Sequence, residues 1–344
     1  MKYTTLPDSD IKISKICLGT MTWGQQNSEA DGHEQIEYAL EQGINFLDTA
    51  EMYSTPARSE TQGSTEKIIG SWFKKSGKRE EVVLASKIVG PGESMQHIRP
   101  KLDYSKASLT EALNNSLERL QTDYIDLYQL HWPERNTNFF GKLDYRMDAS
   151  EEWEDNFKEI LQHLEGFIQE GKIRKIGLSN ETPFGVMRCV EEARNGAPKI
   201  STVQNPYSLL NRKDEIGLTE ILHRENIGLF PYSPLGMGTL TGKYLDAQPE
   251  NSRLTIFPQY NRYSNPQAVE ATRRYVELAK KFDLKPAQMA LAFVNQQPFV
   301  ISNIIGATKM EQLKENIESI NVELWEEILT EIEAIHTTIP NPAP

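Results

Sequence analysis

Eight short apolar runs recur along the chain, each separated from the next by an amphipathic stretch. They read "KICLGT", "INFLDT", "EVVLASK", "YIDLYQLHW", "RKIGLSN", "STVQNPYS", "IGLFPYS" and "VISNIIGA". Runs of this length predict strands, and the stretches between them predict helices. The segment from Gly63 sets Ile68, Ile69, Trp72 and Phe73 at helical spacing. Leu109, Leu113, Leu117 and Leu120 share one face of the next helix, where Ser108 and Glu111 are spaced as a capping box. "EIGLTEILHREN" and "PAQMALAFVNQQ" have the same period, and Pro286 suits a first helical turn. Strand alternating with helix implies a parallel sheet, and eight repeats imply its closure. The expected fold is therefore α/β: a (β/α)8 TIM barrel with extra helices at its C-terminal end. The opening "YTTLPDSDIKIS" alternates around a turn-like Pro-Asp-Ser and predicts a β-hairpin outside the repeat. No linker, low-complexity tract or charge block divides the chain, so residues 1–344 are expected to form one barrel domain.

Composition narrows the classes of function. The net charge is −12, which disfavours general binding to nucleic acid or to an anionic membrane. An anionic ligand must then be held by local Lys, Arg and backbone N–H groups. Cys17 and Cys189 are the only cysteines, too few for a disulfide framework or a zinc-type pair, and their apolar surroundings predict buried thiols. No metal site is expected. The N-terminal "MKYTTLPDSDIKISK" lacks the apolar core of a signal peptide. No apolar run approaches the ~18 residues of a membrane span. The expected setting is soluble, reducing and cytoplasmic.

Three strands end on residues that do chemistry. Side chains alternate along a strand, so Asp48 shares a side with Phe46 and Ile44. Lys87 shares one with Ala85 and Val83, and His131 with Gln129, Leu127 and Ile125. If these sides face the barrel interior, an acid, a base and an imidazole meet at its C-terminal mouth, where barrel active sites form. Tyr53, just past the second strand, can reach them. A phenol titrates near 10 in water, and a neighbouring ammonium lowers the cost of its ionised form. Such a set can protonate an oxygen on which charge develops, as in hydride addition to a carbonyl. Taken singly, each residue has a plainer reading. Asp48 can cap the next segment, Lys87 can form a core ion pair or a Schiff base, His131 can be a core histidine, and Tyr53 can anchor a loop. Longer connections, at about 55–63, 89–105, 133–150 and 236–265, all follow strands and are expected to shape a ligand site.

"LDTAEMY", "SK", "LHW", "IGLSN", "VQNPYSLL" and "GATKMEQLKEN", in this order over nearly the whole chain, resemble the aldo-keto reductase superfamily. The "GTMTWG" and "NETPFGVMR" stretches resemble its Tas-type bacterial members, and the chain is also similar to potassium-channel β-subunits. The resemblance implies a catalytic tetrad of Asp48, Tyr53, Lys87 and His131. Tyr53 would donate the proton, Lys87 and Asp48 would tune it, and His131 would orient the carbonyl. It also implies a nicotinamide cofactor, NADPH. Gly19, Thr20 and Met21 would lie against it. Ser179, Asn180 and Gln204 would hold the carboxamide, and Tyr232 would stack under the ring. Ser233, Pro234, Leu235 and Gly236 would pass over the pyrophosphate, with Lys243 and Arg253 as counter-charges. Gly306, Thr308, Gln312, Glu315 and Asn316 would take the adenosine end. Gly306-Ala307 and Gln312 stand where many members have Lys-Ser and Arg; Lys243, Arg253 and Lys309 remain for a 2′-phosphate. Trp23, Trp132 and the loops near 89–105 and 136–146 would line the pocket of a small-molecule carbonyl substrate. The chain would work as a monomer or homo-oligomer. The function implied is NADPH-dependent reduction of aldehydes and ketones. A redox-sensing regulatory subunit with slow turnover is the alternative, and a Schiff-base lyase on Lys87 a third reading.

Overall fold

The computed structural model describes residues 1–343. A short antiparallel hairpin, β1 (Tyr3–Thr5) with β2 (Lys12–Ser14), opens the chain. Eight parallel strands follow: β3 (Ile16–Gly19), β4 (Phe46–Asp48), β5 (Val83–Ile88), β6 (Ile125–Leu130), β7 (Ile173–Ser179), β8 (Ile200–Gln204), β9 (Gly228–Leu229) and β10 (Asn303–Ile305). They fall within the eight apolar runs read from the sequence or extend them by a residue. Neighbours in the sheet are neighbours in sequence, except that β10 pairs with β3. The last seam is hydrogen-bonded too: Leu229 N donates to Phe299 O (3.1 Å), Ile301 N to Leu229 O (3.1 Å) and Ile304 N to Pro231 O (3.0 Å). The sheet therefore closes into a barrel.

Helices α1 (Glu29–Glu41), α2 (Ser64–Ser76), α3 (Lys106–Leu120), α4 (Phe157–Gln169), α5 (Pro183–Arg194) and α6 (Leu218–Arg224) each return one strand to the next. After β9 come a short α7 (Arg253–Ile256), then α8 (Pro266–Lys281) and α9 (Pro286–Gln296). After β10 come α10 (Met310–Glu318) and α11 (Glu326–Thr338), with α11 packed on α8 outside the repeat. Ile68, Ile69, Trp72 and Phe73 are buried on α2, as their spacing predicts. The start of α3 differs from expectation. Ser105, not Ser108, is the cap, and Ser108 lies in the first turn, where its N–H donates to Ser105 Oγ. A capping box does occur at the start of α1, between its cap Ser28 and Asp31 in its first turn. Among the described residues no helix is long and apolar enough to cross a membrane.

Strand alternation divides the core in two. Leu18, Leu47, Leu84, Tyr128, Ile176 and Val203 point outward into the layer beneath the helices. Cys17, Phe46, Val83, Ala85, Leu127, Phe230 and Ile304 fill the interior together with Leu6, Ile11 and Ile13 of the hairpin. Ile44 and Ile125 share strand parity with interior residues but pack in the outer layer. They lie at the bottom end, where the hairpin supplies the interior side chains. Both cysteines are buried, as expected.

Candidate active site

Inward parity carries each strand's last polar residue to the barrel mouth. Asp48 follows Phe46 on β4, and Lys87 follows Ala85 on β5. Lys87 is wholly buried, and its Nζ donates to Asp48 Oδ2 (2.7 Å) and to the Thr49 carbonyl (2.8 Å). The Tyr53 hydroxyl lies 3.5 Å from the same Nζ. The other Asp48 oxygen accepts from Gln204 Nε2 (2.8 Å) and, at 3.4 Å, from Gln129 Nε2. The Tyr53 and His131 rings meet edge to face, with centroids 5.7 Å apart. All four residues expected as a tetrad thus share one small volume.

Their proton affinities follow from this packing. Burial alone would lower the Lys87 pKa, but the Asp48 carboxylate and the Tyr53 phenol outweigh it, and the ammonium is held more tightly than usual. Burial, with the Lys87 charge adding to it, pushes His131 well below its ordinary range, so the imidazole is neutral. Its Nδ1 has no protein partner. Tyr53 differs from the sequence expectation. Burial raises its pKa, and Lys87, although it pulls the other way, does not reverse the shift. The phenol at rest is therefore fully protonated.

Beside this cluster, the residues expected to meet a nicotinamide bond to one another. Ser179 Oγ donates to the Gln204 carbonyl (2.8 Å), and Asn180 Nδ2 to the His131 carbonyl (2.9 Å). The Tyr232 hydroxyl donates to Asn180 Oδ1 (2.6 Å). Gln204 Nε2 donates to Asp48 Oδ1 (2.8 Å) and, at 3.3 Å, to Gln129 Oε1. Thr20 donates through both its N–H (3.1 Å) and its hydroxyl (2.9 Å) to the Asp48 carbonyl. Gly19 is paired with Asp48, and a Cβ there would strike Ile304 at 2.8 Å. Met21 is half-buried, and its carbonyl accepts from Thr55 N (2.9 Å). After β9 the backbone turns through left-handed φ at Ser233, Gly236, Met237 and Gly238, on either side of the buried Pro234 and the half-buried Leu235. Lys243 lies against Gly238, where a Cβ would sit 3.1 Å from its Nζ.

Arg253 lies within electrostatic range of the phenols of Tyr260, Tyr244 and Tyr53. Arg262, which the sequence reading passed over, stands beside Tyr232, Tyr260 and Tyr263. A half-buried tyrosine, a turn of left-handed backbone and cations near phenols are groups that could hold a ring joined to phosphates. At the far side Gln312 Oε1 accepts from Thr308 N (3.1 Å), and Asn316 Nδ2 donates to the Gly306 carbonyl (3.2 Å). Glu315 also pairs with Lys285, the residue that caps α9 (3.5 Å).

The two tryptophans part company. Trp132 joins Ala50, Met52 and Val89 in an apolar pad with Tyr53, Met95, Ile98, Leu102 and Phe139, so both expected pocket loops contribute. Gly90 makes room for it, since a Cβ there would lie 2.5 Å from the indole. Trp23 does not line a pocket. It is wholly buried in the outer layer against Gly32, and its Nε1 donates to Gln35 Oε1 (3.1 Å). Two buried ion pairs at the mouth were not anticipated, Glu51 with Arg99 and Glu181 with Arg135. Position alone offered a hint for Glu51, which lies between Asp48 and Tyr53.

A closed barrel with a lysine held between a carboxylate and a phenol at its mouth is the architecture of an oxidoreductase class. A sequence profile of the aldo/keto reductase family matches residues 15–337, and the chain belongs to that family. It is 51% identical to the protein tas of Escherichia coli (strain K12), with both chains covered in full. It is 31% identical to the uncharacterized oxidoreductase YrpG of Bacillus subtilis (strain 168), over 96% of this chain and 94% of that one. Norsolorinic acid reductase A of Aspergillus parasiticus is 28% identical over 95% of this chain and 79% of its own. The protein is an oxidoreductase.

Proposed function

We propose that the protein reduces aldehydes and ketones to alcohols with NADPH, with Tyr53 as the proton donor. The observation that carries this reading is Lys87 Nζ, 2.7 Å from Asp48 and 3.5 Å from the Tyr53 hydroxyl. NADPH, when bound, supplies the hydride. Ser179, Asn180 and the Gln204 side chain would hold its carboxamide, and Tyr232 would underlie the ring. The turn from Ser233 to Gly238, with Lys243 and Arg253, would hold the phosphates, while Gly306, Thr308, Gln312, Glu315 and Asn316 would face the adenosine. The neutral His131 donates a hydrogen bond that orients the substrate oxygen. As charge develops on that oxygen, the Tyr53 proton moves to it, and the adjacent ammonium stabilises the phenolate left behind. Asp48 keeps Lys87 charged and in place. A lysine held as an ammonium is a poor Schiff-base nucleophile, which counts against lyase chemistry. The apolar pad around Trp132 favours flat, apolar carbonyl compounds.

A single-turnover experiment tests the reading. Protein loaded with NADPH is mixed with an aromatic aldehyde while cofactor fluorescence is followed. Fast decay is expected in the wild type and a loss of at least about a hundredfold in Tyr53→Phe, with NADPH affinity nearly unchanged. Reduction persisting at the wild-type rate in the variant would remove Tyr53 from proton transfer. Tight cofactor binding with decay over many minutes in the wild type would instead favour a regulatory subunit.

A further inference from the structure

Glu51 touches both halves of the mouth. Its N–H donates to the Lys87 carbonyl (3.2 Å), and its own carbonyl accepts from Gln62 Nε2 (2.7 Å). Its side chain turns the other way. Oε1 accepts from Val89 N (2.6 Å) and from Arg99 Nη1 (3.0 Å), and Oε2 takes Arg99 Nη2. Arg99 lies in the middle of the 89–105 loop, and both partners are almost fully buried, at 1% and 3% exposure. The loop has other anchors on either side of Arg99, including the Lys101 carbonyl, which accepts from Ser108 Oγ (3.3 Å). Trp132 Nε1 donates to the Pro91 carbonyl (2.9 Å), and Glu134 accepts from Tyr104 N (2.7 Å). Between these anchors, Met95, Ile98 and Leu102 project into the pad that holds Tyr53 and Trp132.

A buried ion pair is a poor way to gain stability alone, because desolvation offsets much of its attraction. It does fix geometry, since a bidentate guanidinium accepts one orientation. We propose that Glu51 and Arg99 are positioning residues. Through them the Asp48–Tyr53 segment sets where Met95, Ile98 and Leu102 stand in the pad shared with Tyr53 and Trp132, and so selects bulky apolar carbonyls over small ones. This rests on the carbonyl-reductase reading for its substrate consequence but not for its structural one.

The test uses the full chain as Glu51→Gln/Arg99→Met. The double variant removes both charges together and leaves an acceptor for Val89 N; Arg99→Lys is the conservative companion. Hydrogen–deuterium exchange is read without substrate. Residues 92–102 should exchange at least about tenfold faster in the double variant, with the barrel strands unchanged and Arg99→Lys intermediate. Steady-state kinetics then compare 4-nitrobenzaldehyde with propanal. The ratio of their kcat/KM values should fall about tenfold through KM of the aromatic substrate, with NADPH Kd unchanged. Unaltered exchange in 92–102, faster exchange throughout the barrel, or equal losses for both aldehydes would overturn the proposal. A wild type that reduces neither aldehyde would sink the carbonyl-reductase reading and the selectivity claim, while exchange would still decide whether the pair holds the loop.

Discussion

Arg253 is a cation among phenols, and burial lowers its pKa more than those phenols raise it. Such a charge is poised for an anion rather than spent within the protein. Lys243, against Gly238, and Arg262, beside Tyr232, extend the same positive rim. A charge-assisted hydrogen bond contributes about 1.5–3 kcal/mol. Lys243→Ala with Arg253→Ala should therefore raise the NADPH Kd by at least about tenfold more than the NADH Kd, in fluorescence titrations at fixed salt. Equal weakening of both cofactors would remove these residues from recognition of the 2′-phosphate. That Asp48, Lys87 and His131 meet at the mouth could be read from strand ends because parity is local. The protonation state of Tyr53 could not, because it depends on how much protein surrounds the hydroxyl.

At the scale of the element, the start of α3 shows how a helix boundary is set by more than one spacing. Asp103 Oδ1 accepts from Ser105 Oγ (2.7 Å) and Ser108 Oγ (2.6 Å), and Ser105 caps the helix. Burial would raise the Asp103 pKa, but the bonds from Lys101, Ser108 and Ser105 outweigh it and hold it at about 2, against 3.8. A depressed carboxyl pKa stabilises the fold above the unfolded value and loses that contribution as pH falls through the folded one. Asp103→Asn should cost about 1 kcal/mol at pH 7, after allowance for solvent screening, with roughly half of that remaining at pH 3. Urea unfolding at the two pH values measures it, and a cost independent of pH would refute the electrostatic account. Ser108 and Glu111 have capping-box spacing, yet the aspartate and serine upstream compete for the same first turn and start the helix earlier.

Across the whole molecule, the hairpin is what makes the barrel a filled core. Leu6, Ile11 and Ile13 enter its base beside Cys17, Phe46 and Phe230. The turn is tied across the bottom, with Lys199 Nζ 2.6 Å and Asn226 Nδ2 2.9 Å from the Asp8 carboxylate, and Lys175 Nζ 2.6 Å from its carbonyl. Ile13→Ala should destabilise the protein by about 2–5 kcal/mol through the cavity it leaves. NADPH affinity should be unchanged, since the mouth is at the other end. A urea midpoint equal to that of the wild type would show that the hairpin is not part of the core.

The sequence by itself determined the eight strands, their order, the opening hairpin and the inward parity of Asp48 and Lys87. Each is a property of local periodicity or of polar residues at strand ends, and a backbone repeating every two or 3.6 residues displays it without knowledge of distant neighbours. Tertiary structure alone decided that Trp23 packs in the outer layer while Trp132 reaches the pad. It also decided that Arg262 meets Tyr232, and that Glu51 grips Arg99 from 48 positions away. These depend on where long connections travel, which is set by burial and charge pairing summed over the folded chain rather than by any short stretch of it.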